Sequence, residues 1–530
     1  MPMNPSQRIA FNATATYARA VFAAGLALFS SRWVLNALGH TDFGLFILVG
    51  SIIVFITFLN VVMAGSASRH FAYSIGQGDS AEVNRWFNTA LSIHLCLAVG
   101  LVLIGWPIGE YVIARILNIP AERVPSCLWV FRVSLISAFT SMASIPFVAM
   151  FTAQQHIAEL SVWGMLQSVL TLTLAYILTR VSGDRLLFYA AGMVAIILLI
   201  QSAQVFRALA VFRECRIVCR QWFDRNRFKH ILSFAAWNLI GSFGGILRNQ
   251  GSAILLNLFF GPSLNAAYGI ANQVSGQTNQ LSAAMIGAFS PEITASEGRG
   301  DRARMINLSL RACKFGAILA MLFAIPLMAE MDYILNLWLR QPPPYTALFC
   351  QLILCTFLID RLSAGYVLAV QAHGRIAAYQ ATLGTILLLT LPLAWLFLKL
   401  GYPPTSVGIA FVITMTACSF GRVLWGRRLF GLRVRRWLRA VVLPCAIVAL
   451  AATFAALAPR WLLSSSFLRL ALAAVASIAA SLLTTWFLAL DPGERAFVGQ
   501  NTRRLWSKIR RRGDDVASPP PPRPAGKETP

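Results

Sequence analysis

The chain has 530 residues, of which 57% are hydrophobic and only 12% are charged, whereas about 25% of the residues of a typical soluble domain are charged. This composition excludes a water-soluble enzyme and a largely disordered chain. The net charge of +25, from 45 Lys and Arg against 20 Asp and Glu, is typical of basic cytoplasmic loops in a membrane protein, so nucleic acid is not an expected partner. The nine cysteines are scattered and form no disulfide framework or zinc motif.

Apolar stretches of about 20 residues, long enough to cross a bilayer, recur along the chain. They predict an all-α polytopic membrane protein with about 14 transmembrane helices. The seventh and eighth are the most polar, and no connection is long enough for a soluble catalytic domain. In chain order, the predicted spans are 13–36, 44–64, 87–108, 127–151, 158–179, 186–206, 231–259, 266–289, 312–330, 346–370, 376–398, 406–425, 440–458 and 468–490.

Lys and Arg collect on one side of the predicted helices. When both termini are cytoplasmic, the loops and tail on that side hold roughly 31 of these residues, against roughly 7 in the opposite loops. Since cytoplasmic loops are enriched in Lys and Arg, we predict a multi-pass protein with both termini in the cytoplasm. The cytoplasmic segments include 207–229, 291–314, 426–439 and the tail after Asp491.

The predicted helices and loops divide the chain into five segments. The basic part of the last segment, 503–512, is interpreted as a topology anchor, with contact to anionic lipid headgroups as the alternative. The segments are an N-terminal six-helix bundle (1–206), a basic cytoplasmic linker (207–229), a C-terminal six-helix bundle (230–425), a basic loop with helices 13 and 14 (426–490) and a basic, Pro-rich cytoplasmic tail (491–530).

An internal repeat relates the two bundles. The sequence Ser74-Ile-Gly76-Gln-Gly78-Asp79 after the second span matches Ser296-Glu-Gly298-Arg-Gly300-Asp301 after the eighth, without a gap. At the same offset Gly65-Ser-Ala-Ser68 matches Gly287-Ala-Phe-Ser290. Separately, the fourth span is followed by Gln154-Gln-His156 and the tenth by Gln371-Ala-His373. Six spans return the chain to the same side of the membrane. The repeat therefore predicts two parallel six-helix bundles with a cavity between them, which is a transporter architecture.

Several short motifs carry a resemblance to a known family. They are Asn12, the turn Leu38–Gly44, the Gly76-x-Gly78-Asp79 loop, Tyr268–Gln273 and Gln371–Arg375. With these motifs the chain resembles, over roughly 10–490, the polysaccharide-export branch of the multidrug/oligosaccharidyl-lipid/polysaccharide exporter superfamily. The resemblance implies a V-shaped pair of bundles that work by alternating access. It also implies a lipid-linked oligosaccharide flippase acting on undecaprenyl-diphosphate-linked units at the bacterial inner membrane.

Arginines inside predicted spans are candidate binding residues, because a central Arg costs at least roughly 2.5 kcal/mol on the insertion scale. Arg19 lies on the first span, with Asn12 on the same helix face, and Arg32 lies nearer the outer end. Arg248 lies near the middle of the seventh span. The alternative to a binding role for Arg19 and Arg32 is that the side chain extends along the helix until its guanidinium reaches the membrane surface. This explanation is our interpretation of Arg132. It is hardest to apply to Arg248.

The eighth span carries a polar stripe. Its residues recur at spacings of three and four and so share one helix face. Amide groups both donate and accept hydrogen bonds, as the hydroxyl and acetamido groups of a sugar require. We therefore predict a polar cavity wall, with hydrogen bonding between packed helices as the alternative. The stripe consists of Asn265, Tyr268, Asn272, Ser275 and Asn279.

Together these features predict a transporter rather than an enzyme. Its cargo would be a polyprenyl-diphosphate-linked glycan moved across the bacterial inner membrane for polysaccharide biosynthesis. Buried arginines would neutralise the diphosphate, and the amide-rich wall would replace water around the sugars. A multidrug/cation antiporter of the same superfamily is the alternative. Such an antiporter needs buried carboxylates, and Asp360, the acid in mid-bundle, is a weak candidate for ion coupling.

A polytopic glycosyltransferase or polymerase is less favoured, because the close acidic pair on the outer side, Glu330-x-Asp332, lies on a short loop. No cofactor or metal is expected. The sequence has no phosphate-binding glycine loop, so ATP hydrolysis is not expected either. The expected partners are the lipid-linked glycan, the lipid bilayer and other polysaccharide-assembly membrane proteins.

Overall fold

The computed structural model describes residues 5–57, 67–68, 70–75, 77–218, 221–374 and 376–495. Side chains are described within these ranges except at 5–17, 55–56, 229–242, 280–281, 283–284, 288 and 291. The described chain consists of helices and connecting turns and contains no strand. The predicted all-α class is confirmed. Most of the predicted tail, from 496 onward, lies outside the described residues.

The first half of the described chain is built from long helices. Its first helix bends at Gly39, where φ is 73° and ψ is 176°, a conformation that glycine adopts without strain. The two arms of this helix correspond to the first two predicted spans. The helices are α1 (Pro5–Thr57), α2 (Ser80–Tyr111, continued by a wider turn at Val112–Ile116), α3 (Val124–Ala153), α4 (Ile157–Leu178) and α5 (Arg185–Val211).

The second half repeats this pattern with more breaks. The helices are α6 (Arg225–Phe260), α7 (Pro262–Ala288), α8 (Ser290–Gly298), α9 (Arg302–Ala329), α10 (Met331–Leu339), α11 (Thr346–Arg361), α12 (Ala364–His373), α13 (Ala377–Leu388), α14 (Thr390–Lys399) and α15 (Ser406–Phe430). Beyond it follow α16 (Val434–Trp437), a wider turn at Leu438–Val442, α17 (Leu443–Leu457), α18 (Pro459–Leu462), and α19 (Phe467–Thr484) with a wider turn at Thr485–Ala489.

Most of these helices are long and apolar enough to cross a membrane. In the described residues 10 helices meet this description, with α1 counted once, and the pair α11 and α12, bent by 43°, makes up to 11. Helices α6 and α7, the most polar of the predicted spans, are not among them. When they are included, α1 is divided at Gly39, and the pairs α11–α12 and α13–α14 are each counted once, every predicted span corresponds to a helix or helix pair within the described residues. The protein is a multi-pass membrane protein.

The repeated loops have the same local structure in the two halves. Gly78 has a φ of 76° and Gly300 a φ of 77°. The carboxylate of Asp79 accepts a hydrogen bond from the Glu82 amide at 2.9 Å, and that of Asp301 accepts one from the Arg304 amide at 3.0 Å. Each aspartate thus caps the N-terminus of the helix that follows it. This equivalence supports the two halves as structural repeats.

The two halves pack together at one end and have separate cores at the other. One hydrophobic core joins residues of the two halves, including Leu48 and Leu135 of the first half and Ala271 and Phe349 of the second. A core next to the basic linker, around Phe87, is formed by the first half and the linker, with Phe228 of α6 packed against it. A third core is formed by the second half and the last helices. The bundles therefore form a V whose closed end lies opposite the basic loops. Under the predicted topology, the V opens toward the cytoplasm.

Close backbone contacts hold the closed end together. Gly44 of α1 lies against the start of α7, where a Cβ added to Gly44 would come within 1.8 Å of the Pro262 carbonyl oxygen. Trp338 of α10 donates its indole N–H to the Leu28 carbonyl oxygen at 2.6 Å. His40 contacts the Gln341 carbonyl oxygen at 3.0 Å. A side chain at position 44 would push the halves apart at this point.

The linker after α5 is bound along one face of α2. Asn84, Asn88 and Ser92 are four residues apart, so they lie on the same side of the helix. Asn84 and Asn88 donate to the Arg216 carbonyl oxygen at 2.7 and 3.0 Å, and the Ser92 hydroxyl donates to the Trp222 carbonyl oxygen at 2.5 Å. The described part of the linker is thereby attached to the first half.

The last two long helices, α17 and α19, pack against α9 of the second half. Buried ion pairs attach them near their two ends. Fully buried Glu330 binds Arg460 at 3.2 Å and Arg469 at 2.7 Å. Lys314, which is 3% exposed, binds Glu494 at 2.5 Å. Truncating one member of such a pair leaves a buried charge without a partner, so these contacts fix the position of the added helices.

Candidate functional site

The first half contains a cavity of about 440 Å³. Its positive charge comes from Arg19, which packs so closely on α4 that a Cβ added to Gly164 would lie 2.7 Å from Arg19 Cδ. Hydroxyl and amide groups from α1, α4 and α7 form much of the remaining wall. The lining residues are Arg19, Ala20, Ala23, Leu26, Ala27, Ser30, Ser31, Gly164, Gln167, Ser168, Thr171, Tyr189 and Gln273.

Gln273 of the second half lines this cavity of the first half. Its side-chain amide donates to the Ser31 hydroxyl at 2.7 Å and to the Ala27 carbonyl oxygen at 3.4 Å. The contact joins α7 to α1. The cavity is therefore built at the junction of the two halves, and a relative rotation of the halves would change its wall.

The second half contains a cavity of about 390 Å³. It lies between α6, α7, α11 and α15, and its wall combines charged groups with amide, hydroxyl and aromatic side chains. The lining residues are Arg248, Asn249, Asn272, Ser275, Gly276, Asn279, Ile353, Thr356, Phe357, Asp360, Arg361, Leu387, Phe411, Met415 and Arg422.

Three arginines and one carboxylate give the second cavity a positive charge among the residues that line it. Asp360 accepts a hydrogen bond from Arg422 at 2.7 Å and forms a second ion pair with Arg361. The Arg361 guanidinium also lies 4.9 Å from the centre of the Phe357 ring. Since one carboxylate neutralises one charge, this pairing leaves an excess of positive charge facing the cavity.

Among the described residues, Arg248 forms no ion pair with a carboxylate. Its Nε donates to the Asn249 side-chain oxygen at 3.1 Å, and its guanidinium lies 4.8 Å from the centre of the Phe411 ring. Nη1 is buried and has no hydrogen-bond acceptor. The side chains of Arg248 and Asp360 are described, and no ion pair within 4.0 Å joins them. A buried donor without an acceptor is costly, and Nε of Arg361 and Nε of Arg422 in the same cavity are in the same situation.

The fold is similar to that of solved transporters, although no family model and no curated protein matches the sequence. One neighbour is described as the inward-facing conformation of a multidrug resistance MATE family transporter of the MOP superfamily. It is 18% identical with a TM-score of 0.65, covering 76% of this chain and 93% of that chain. The chain has the fold of a MATE transporter.

Two further neighbours support the same fold. An outward-facing MATE family transporter is 16% identical with a TM-score of 0.57, covering 80% of this chain and 96% of that one. A transporter of the MOP superfamily from Pyrococcus furiosus is 17% identical with a TM-score of 0.58 and the same coverages of 80% and 96%. These are transporters of the superfamily that the sequence motifs indicate. At such identity the likeness concerns the fold, so the cargo must be argued from the cavities.

Within this MATE fold the polar stripe of α7 divides into two parts. Asn272, Ser275 and Asn279 line the second cavity. Buried Asn265 instead donates to the Ala253 carbonyl oxygen at 2.7 Å, and the Tyr268 hydroxyl donates to the Asn249 carbonyl oxygen at 3.0 Å. These two side chains tie α7 to α6. The structure thus assigns the stripe partly to the cavity wall and partly to helix packing.

The remaining predicted arginines occupy different environments. Arg19 lines the first cavity, whereas Arg32, half-buried on the same arm of α1, is not among the lining residues described. The side chain of Asn12 lies outside those described. Arg132 is 47% exposed and binds Glu110 at 2.6 Å. The two cavities therefore bring Arg19 and Arg248 to separate walls of the V.

Sequence reasoning misses Arg422 and the polar face of α4. Arg422 lies near the end of a predicted span beside Arg427 and Arg428 and resembles a loop charge. On α4, Gln167 and Thr171 are four residues apart and share one face with Gly164. The same periodicity test that finds the stripe of α7 would find this face. Among the described residues, no group of at least three His, Cys, Asp and Glu could hold a metal ion.

Proposed function

We propose that this protein is a flippase that moves a polyprenyl-diphosphate-linked oligosaccharide across the bacterial inner membrane for polysaccharide biosynthesis. The observation that carries the proposal is the charge of the second cavity. Arg248, Arg361 and Arg422 line it with Asp360 as the single carboxylate among the lining residues. A cavity of this sign suits an anionic cargo and repels a cationic drug.

The diphosphate of the carrier lipid fits the chemistry of the second cavity. Arginine remains protonated in a medium of low dielectric, and its planar guanidinium binds phosphate oxygens through two parallel hydrogen bonds. Arg248 has a buried N–H without an acceptor, so it can bind an anion without first losing an ion pair. Arg361 and Arg422 would contribute by exchanging part of their contact with Asp360 for phosphate.

The sugar part of the cargo requires a polar path. Sugar hydroxyls that enter hydrocarbon lose their hydrogen bonds with water, which makes unassisted crossing very slow. The first cavity offers Gln167, Ser168 and Thr171, and the second offers Asn272 and Asn279. These groups both donate and accept hydrogen bonds. They would replace water around the sugars while the polyprenyl chain remains in the bilayer.

The V shape supports loading from the side of the basic loops. The closed end joins the halves through one common core, whereas at the opposite end the halves are connected by the ion pair of Arg227 with Glu82 at 2.9 Å and by Phe228. With both termini cytoplasmic, the V would take up cargo from the cytoplasmic leaflet. Rocking of the two halves would then open the opposite end, as alternating access requires.

A cation antiporter is the competing function, and Asp360 is the observation in its favour. A buried carboxylate in a transporter cavity can bind a coupling ion or a cationic drug. Here, however, Asp360 is held by two guanidinium groups. A cation would have to displace at least one of them, so the antiporter accounts less well for the cavity.

Transport in proteoliposomes tests the two functions against each other. The purified protein is reconstituted with a fluorescent polyprenyl-diphosphate oligosaccharide, and flipping is followed by quenching from outside the vesicles. We expect faster flipping than in protein-free vesicles. We also expect no uptake of a cationic dye under a proton or sodium gradient. Dye uptake that requires Asp360, with no flipping of the lipid, would overturn the proposal.

A further inference from the structure

A third positively charged cavity lies where the segment between α15 and α17 meets α9 and the chain that follows α19. Its volume is about 810 Å³. Four arginines and one aspartate line it: Arg433, Arg435, Arg436, Arg439 and Asp491. We call this site the arginine groove. Its charge is again positive, and it shares no lining residue with either cargo cavity.

The arginines of the groove are largely free to bind a ligand. Arg436 donates to the Asn307 side-chain oxygen at 2.5 Å. Within the described part of the chain, Arg433, Arg435 and Arg439 are exposed and form no ion pair within 4.0 Å. Clustered guanidinium groups repel one another when no anion neutralises them. An anion in the groove would remove this repulsion.

The backbone beneath the groove is held in place. Trp437 is 7% exposed and donates its indole N–H to the Leu362 carbonyl oxygen at 2.9 Å. Gly431, with a φ of 75°, ends α15 in a left-handed conformation and turns the chain into the arginine segment. A ligand would therefore bind to groups that are already positioned, which lowers the entropic cost of binding.

The groove is continuous with the membrane surface. It lies at the start of Val434–Leu462, one of the segments apolar enough to cross a membrane. Next to its arginines, Leu438 is 44% exposed and Leu443 is 57% exposed. Cationic side chains directly beside exposed aliphatic ones match a phospholipid, whose phosphate lies at the surface and whose acyl chains lie deeper.

We propose that the arginine groove binds the headgroup of an anionic phospholipid in the leaflet on the side of the basic loops, and that a lipid with two phosphates is preferred. Four guanidinium groups can pair with two phosphates in the way that arginine pairs with phosphate oxygens. The bound lipid would fix the last two helices against α9. This site is separate from the cargo cavities, so it does not depend on the function proposed for them.

Lipid binding by the full-length protein tests this site. The protein is purified in detergent, and its melting temperature is measured with diphosphatidylglycerol, phosphatidylcholine or inorganic diphosphate, together with lipid retention by native mass spectrometry. The test variant is Arg435→Gln with Arg439→Gln. The matched control is Arg427→Gln with Arg428→Gln, which removes the same charge from exposed arginines in the last turn of α15 that do not line the groove.

We expect diphosphatidylglycerol to raise the melting temperature of the unmodified protein and of the control. We expect the test variant to bind it about tenfold or more weakly. Equal loss in test and control variants would overturn the site, because it would show attraction by overall charge. An equal shift with inorganic diphosphate would overturn the lipid assignment. If the double variant does not fold, Arg439→Gln against Arg428→Gln gives the same comparison.

Discussion

Asn257 and Asn118 exchange two hydrogen bonds across the closed end of the V. The Asn257 side-chain oxygen accepts from the Asn118 amide at 2.8 Å, and the Asn257 side-chain nitrogen donates to the Asn118 carbonyl oxygen at 3.1 Å. Asn257 is fully buried near the end of α6, and Asn118 precedes α3. The pair therefore joins the second half to the first where alternating access requires the halves to separate.

Replacement of Asn257 by Leu should weaken the closed end. The Asn118 amide and carbonyl groups would be left without partners, at a cost of about 1–3 kcal/mol. We expect faster hydrogen–deuterium exchange in the segment around Asn118, measured by mass spectrometry. The control is Asn336→Leu at the same end, because Asn336 donates within its own helix to the Asp332 carbonyl oxygen. Unchanged exchange around Asn118 in the Asn257 variant would exclude this contact as a gate.

Arg248 should be required for transport of an anionic cargo. We expect Arg248→Ala to lower flipping by about tenfold to a hundredfold, since a hydrogen bond to a charged group contributes roughly 1.5–3 kcal/mol. Lys should restore part of the rate by keeping the charge, and Glu should restore none. The matched control is Arg132→Ala, which removes an arginine that is bound to Glu110. Equal flipping by the Arg248→Ala variant and the unmodified protein would remove Arg248 from the site.

Asp360 should stabilise the wall of the second cavity. Asp360→Asn leaves Arg361 and Arg422 without their carboxylate, and breaking a buried pair in this way costs about 3–5 kcal/mol. We expect a lower melting temperature, partly recovered by inorganic diphosphate, which would supply the missing negative charge. The double variant Asp360→Asn with Arg422→Gln should be more stable than Asp360→Asn alone. If it is not, Arg422 is not the main partner of Asp360.

The predicted topology can be checked with reporter fusions. Fusions within 207–229 and after Asp491 should report the cytoplasm, and fusions within the loop Gly401–Ser406 should report the opposite side. The basis is the excess of Lys and Arg in the first set of segments. A periplasmic location for the linker would contradict the orientation and the choice of leaflet for both proposed ligands.

The sequence predicts the helices well because their signals are local. Length and apolarity locate the spans, and the matched loops at Asp79 and Asp301 are helix caps in each half. Arg248 is recognisable as a candidate because a charge in mid-span lies far from both membrane surfaces. The division of the α7 stripe is not recognisable, since Asn265 and Asn272 share one helix face. Their depth relative to the closed end decides which one meets the cavity, and that depth depends on tertiary packing.

The polar stripe of α7 should therefore respond to the same substitution in two ways. Asn272→Leu and Asn279→Leu replace side chains of the cavity wall, so flipping should fall while the melting temperature stays near that of the unmodified protein. Asn265→Leu removes the hydrogen bond to the Ala253 carbonyl oxygen in a fully buried position, so stability should fall by about 1–3 kcal/mol. Comparing flipping rate with melting temperature for the three variants separates the two roles. If Asn272→Leu and Asn279→Leu lower stability as much as Asn265→Leu does, and flipping per folded molecule is unchanged, the whole stripe serves helix packing and the sugar path lies elsewhere.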